Sequence, residues 1–141
     1  MDYFVEQEFL PPSVWESEGV DGMLHIDPRV IETCIDIRRF FARPVTVNNW
    51  HVGGPYKYRC YRPRDCPVGA KHSLHKEGLA CDLTIKGISA AKARRRIIEN
   101  SDLFPFIRRL EDEVGWVHFD AMETGRKEIV LFRPQPQKLI S

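Results

Sequence analysis

The chain has 141 residues, a formal net charge of +1, and 43% apolar and 29% charged side chains. That length suits one domain with a full hydrophobic core. The near-neutral balance gives no electrostatic footprint for nucleic acid or an anionic membrane. No apolar run approaches the roughly 20 residues that span a bilayer. The opening MDYFVEQEFLPPS lacks a basic segment followed by an apolar one. The sequence thus predicts synthesis in the cytoplasm without a signal peptide, and no stable membrane insertion.

The clearest predicted helix begins after Asp27, a good N-cap, with Pro28 at its first position and Pro44 as its stop. Val30, Cys34, Ile37 and Phe41 fall at helical spacing and predict its core face. VTVNNW, residues 45–50, reads as a strand. A long stretch rich in glycine, proline and arginine follows, HVGGPYKYRCYRPRDCPVGAKHS, without periodicity. Loops of this length inside a compact domain usually serve function. LACDLTI then alternates, with Leu79, Cys81, Leu83 and Ile85 facing one way and Ala80, Asp82 and Thr84 the other. Ser89 caps a helix over AAKARRRIIEN. Its Arg94, Arg95 and Arg96 read as a solvated face, because successive helical residues diverge and the net charge is small. FIRRLE, GWVHFD and EIVLF are predicted strands, and residues 133–141 an extended tail. One domain over 1–141 is expected, with an α+β fold: a small antiparallel sheet with flanking helices. None of the four cysteines forms a C-x-x-C pair, which disfavours a cysteine zinc knuckle. Cys34 and Cys81 read as small buried hydrophobes. Cys60 and Cys66 flank a loop and would pair as a disulfide only in an oxidising space.

In GWVHFD, Trp116, His118 and Asp120 point to one face. A single strand histidine is ordinarily a satisfied surface or core residue, and the same holds for His75 alone. The combination says more. Asp82 and His118 each project from a strand, and His75 sits on the turn leading into the first one. Two imidazoles and one carboxylate form a ligand set for catalytic zinc that leaves a fourth position open. Gly78 allows a sharp turn between His75 and the strand, and Ala80 leaves room beside a metal.

SLHKEGLACD resembles the S-x-H-x-x-G-x-A-x-D pattern of the zinc D-alanyl-D-alanine carboxypeptidases. It is also similar to the phage L-alanyl-D-glutamate peptidases (endolysins), and hedgehog proteins share that scaffold. WVHFD resembles the family's second-histidine strand, and YRP at 61–63 its Y-R segment; the likeness covers roughly residues 28–121. The resemblance implies a hedgehog/DD-peptidase-like fold and Zn²⁺ bound by His75, Asp82 and His118. It implies a zinc peptidase that cuts a stem-peptide bond of peptidoglycan, as a D,D-carboxypeptidase or an L-Ala-D-Glu endopeptidase. The missing export signal favours a phage-type cell-wall lysis enzyme, monomeric, that acts on the wall after release by another protein. Many relatives carry a general base three residues before the second histidine, where this chain has Gly115. In the branch it most resembles, a glutamate closes the preceding strand. That points to Glu111 as base, with Glu113, in the following turn, second. Asp120 is expected to orient an imidazole. Arg62 either holds a substrate carboxylate or is a plain loop arginine. Ser73 either contacts substrate or caps its turn, and Trp116 either walls the site or packs in the core. His72 and His51 are not expected as ligands, although His51 could line the cleft. Two rival readings remain: a non-catalytic zinc-stabilised binding or virion structural module, favoured by Gly115, and a nucleic-acid binder using Arg94–Arg96, disfavoured by the net charge.

Overall fold

Among the described residues, five short strands and three α-helices, joined by 3-10 turns, follow in the order α1 (Pro12–Glu18), α2 (Pro28–Phe41), β1 (Val45–Thr46), β2 (Ala80–Ile85), α3 (Ala90–Glu99), β3 (Arg109–Glu111), β4 (Val117–Asp120) and β5 (Val130–Phe132). The computed structural model describes residues 1–70 and 72–134, so most of the expected extended tail lies outside the described residues. The class is α+β, as expected. The sheet has the order β1-β2-β4-β3-β5 and is mixed. Its first three pairings are antiparallel, but β3 and β5 run parallel. The expected all-antiparallel sheet is thus corrected at one edge, where the chain crosses over after β4 instead of returning by a hairpin.

α2 forms as its sequence dictates. Asp27 accepts a hydrogen bond from the Arg29 N–H at 2.9 Å, Pro28 opens the first turn, and Ala42 ends the helix in a left-handed conformation. Val30, Cys34, Ile37 and Phe41 are buried. Ser89 caps α3 as expected, accepting from the Lys92 N–H. Both helices pack on β2 and α3 also on β4, with Cys81, Leu83, Val117 and Phe119 in the shared core. α1 and the segment before it, passed over by the sequence reading, add Phe4, Phe9, Leu10 and Val14 to the same core.

Two expectations fail in instructive ways. The strand over 45–50 stops at Thr46. Its remaining backbone bonds elsewhere: the Asn48 N–H donates to the Glu8 carbonyl, and the chain turns into a 3-10 segment at Trp50–Val52. Arg94 is not solvated. It is buried, and its guanidinium donates to the carbonyls of Val114 and Trp116 at 3.0 and 3.1 Å. Those bonds tie α3 to the turn that enters β4. Arg95 is exposed, and Arg96 lies over the rings of Phe40 and Phe41.

Candidate metal centre

β2 and β4 pair with Asp82 directly opposite His118 and Ala80 opposite Asp120. Opposed residues in an antiparallel pair share a face, so the period-two alternation that buries Cys81 and Phe119 under the helices turns Asp82, His118 and Asp120 to the other side. His75 comes from the 3-10 turn Leu74–Glu77 just before β2. Three local features hold that turn. The Ser73 hydroxyl accepts from the His75 N–H at 3.2 Å, and the Arg62 N–H donates to the His75 carbonyl at 3.2 Å. Gly78 closes the turn at φ 72°, where a Cβ would collide with the His25 carbonyl. Only glycine meets both demands cheaply.

The potential ligand atoms of His75, Asp82 and His118 all lie within 4.8 Å of one another, and all three residues are buried. His75 Nε2 stands 3.3 Å from Asp82 Oδ2, and His118 Nδ1 is 2.7 Å from Asp82 Oδ1. The group is able to hold a metal ion. The other nitrogen of each ring is occupied. His75 Nδ1 lies 2.8 Å from the Cys60 carbonyl, an acceptor only, so Nδ1 carries the proton and Nε2 keeps the lone pair that a metal requires. His118 Nε2 faces Asp120 Oδ2 at 3.3 Å. Asp120, fully buried, is gripped by both Arg109 Nε and Nη2, at 2.9–3.1 Å.

Burial opposes the charged form of Asp82, but hydrogen bonds from His118 and His75 outweigh it and hold its carboxyl well below the usual carboxylate range. Burial likewise opposes the imidazolium of His118. Its hydrogen bonds to Asp120 and Asp82 prevail and push its pKa up to about 9. Asp120 is lowered in turn, because hydrogen bonds from His118 and Arg109 overcome its burial.

Of the remaining predicted residues, Arg62 sits at the centre itself. Its Nη2 is 3.6 Å from Asp82 Oδ2, and its Nε–H donates to the Tyr58 carbonyl at 2.7 Å, which aims the guanidinium. It is no plain surface arginine. Ser73 caps its turn, and it also lines a cavity of about 810 Å³ with Tyr61, Arg64, His72 and Lys76. Trp116 stands at the entrance to β4, 38% exposed, and is not packed in the core. Glu111 is half-buried at the end of β3. Continuing the register Arg109–Asp120 and Leu110–Phe119 brings it opposite His118, on the site face. Glu113 is exposed in the turn, at φ 62°, with its carboxylate 3.6 Å from Arg133. Gly115 has open space around it. His72 and His51 are outside the group. All four cysteines are free; Cys34 and Cys81 are buried together with their sulfurs 3.7 Å apart.

Sequence reading missed Arg109, Phe132 and Arg59. Phe132 is paired with Glu111 across the parallel β3–β5 edge, and its ring meets His118 edge-on at 5.6 Å. Arg59 reaches Thr84 Oγ1 on the site face and lies over the Tyr56 ring, while its carbonyl accepts from the Asp82 N–H. The only advance signal was for Arg109, which shares strand parity with Glu111.

No protein-family model matches the chain, and no curated protein or solved structure matches it. Among the described residues, no helix is long and apolar enough to cross a membrane.

Proposed function

We propose that this protein is a zinc peptidase that hydrolyses a bond in the peptidoglycan stem peptide, acting as a phage-type cell-wall lysis enzyme and as a monomer. The observation that carries the reading is the convergence of His75 Nε2, Asp82 and His118 Nδ1 on one buried point, with Arg62 beside it. The donor set fits zinc: nitrogen and oxygen ligands without sulfur, three in number, each imidazole anchored through its other nitrogen. A zinc ion held by His75, Asp82 and His118 would supply a water activated near neutral pH and an electrophile for the scissile carbonyl.

The chain's own groups supply the rest. Arg62 is pre-aimed to hold a substrate carboxylate, a group that stem peptides offer, by two parallel hydrogen bonds. Glu111, on the face of His118, takes the proton of the attacking water and returns it to the leaving amine. The cavity beside the His75 turn is within the 300–1,000 Å³ or so of ordinary ligand sites, and it gives room for the neighbouring part of the peptide. The test is digestion of purified peptidoglycan with mass analysis of the products. Stem-peptide fragments that disappear when the metal is chelated are expected.

A second reading has one observation in its favour. Gly115 brings no carboxylate to the position three residues before His118. On that reading the metal only stabilises a binding or virion structural module. Bound zinc together with intact walls after prolonged digestion would select it.

A further inference from the structure

The carboxylate behind His118 is itself held by a guanidinium that neither the metal group nor the substrate contacts account for. Arg109 projects from β3 opposite Asp120 and grips both of its oxygens, from Nε at 3.1 Å to each and from Nη2 at 2.9 Å to one. Asp120 has no exposure to solvent, and its Oδ1 also accepts from the Met122 N–H at 3.2 Å. Phe132 then closes the arrangement. The Arg109 guanidinium lies 4.1 Å from its ring centroid, and the same ring meets the edge of His118. A planar fork on a carboxylate fixes orientation as well as charge.

From these contacts we infer that Arg109 is a positioning residue for metal binding. By orienting Asp120 through two parallel hydrogen bonds, it fixes the His118 ring with Nε2–H on the carboxylate and Nδ1 toward His75 and Asp82. β5, which lies beyond the motif-bearing part of the chain, belongs to this support because it brings Phe132 over both Arg109 and His118. The inference rests on the metal reading of His75, Asp82 and His118, and not on peptidase activity.

The experiment measures zinc affinity by competition with a chromophoric chelator, in wild type, R109Q, R109K, D120N and the double variant R109Q/D120N. Loss of such an outer partner typically weakens metal binding about 10- to 100-fold, and R109Q should fall in that range. R109K retains the partly buried cation beside Asp120 but cannot hold both oxygens in parallel. It should lie between wild type and R109Q. The double variant discriminates positioning from general stability: R109Q should cost little once Asp120 is already Asn, because the two act as one unit. Wild-type affinity in R109K overturns the inference, and so does full additivity in the double variant. If wild type itself binds no zinc, the metal reading fails and this inference with it. Tight zinc in wild type with an unaffected R109K sinks the inference alone.

Discussion

His75 and His118 meet the same carboxylate, yet they are held by opposite means. His75 rides on a short turn, and its spare nitrogen donates to a main-chain carbonyl, that of Cys60. That contact survives any side chain at position 60 and fixes which nitrogen faces Asp82. His118 sits within a strand, and its spare nitrogen faces the Asp120 carboxylate, itself locked by Arg109. This second support is charged, buried and built from side chains. It therefore depends on pH and on residues far along the sequence. One histidine is secured by local backbone geometry, the other by sheet register.

Removing either histidine has the largest expected effect. His118→Ala and His75→Ala should each reduce bound zinc from about one per chain to near none, by elemental analysis of protein purified without added metal, because two remaining ligands rarely hold zinc. Full retention in either variant would remove that residue from the centre.

The next largest effect concerns the strand side. Glu111→Gln should keep zinc and fold but lose roughly 10²- to 10⁴-fold in turnover on peptidoglycan, the usual cost of losing a general base. Glu113→Gln should stay close to wild type, because that carboxylate is solvated beside Arg133. The reverse pattern would move the base into the turn and leave the metal reading intact.

The turn side is tested by Gly78→Ala. The residue combines φ 72° with close approach to the His25 carbonyl. Strain of this kind costs of order 1–3 kcal/mol, read as a lower midpoint in denaturant melts. The His75 turn should loosen first, so zinc affinity should fall with it. An unchanged midpoint would mean that the turn relaxes freely.

The pH response sharpens the contrast between the two supports. In chelator-stripped protein the His118 pKa is raised to about 9, above its ordinary value of about 6.5. Its stabilising contribution is therefore complete below about pH 6.5 and lost as pH rises through about 9. Asp82 has the opposite sign: its contribution is present above the ordinary carboxylate range and fades as pH falls through its depressed value. Zinc bound through His118 would have to displace the Nδ1 proton. Its affinity should accordingly rise up to about tenfold per pH unit between about pH 7 and 9, with about one proton released per metal. Affinity that is flat across that interval would show that His118 is not protonated there.

Much of the centre could be read locally. The alternation in LACDLTI placed Asp82 opposite to Cys81 and Leu83, GWVHFD set His118 beside Asp120, and Gly78 marked the close turn. What escaped was non-local. Arg94 looked solvated because its partners, two carbonyls in the turn before β4, are 20 and 22 residues away. Phe132 carried no signal at all, since only the parallel pairing of β5 with β3 brings it over His118. The strand expected at 45–50 failed for the same reason: Asn48 and Trp50 find partners in the N-terminal segment, at Glu8 and Leu10. Periodicity reports which way a side chain faces, but not which strand comes to lie beside it.

X-ray absorption at the zinc edge of the purified, zinc-loaded protein addresses the metal centre most directly. A nitrogen and oxygen shell at about 2.0–2.2 Å, with the scattering pattern of two imidazoles and no sulfur, is expected. A sulfur shell near 2.3 Å would place the metal on the cysteines instead and contradict the assignment of His75, Asp82 and His118.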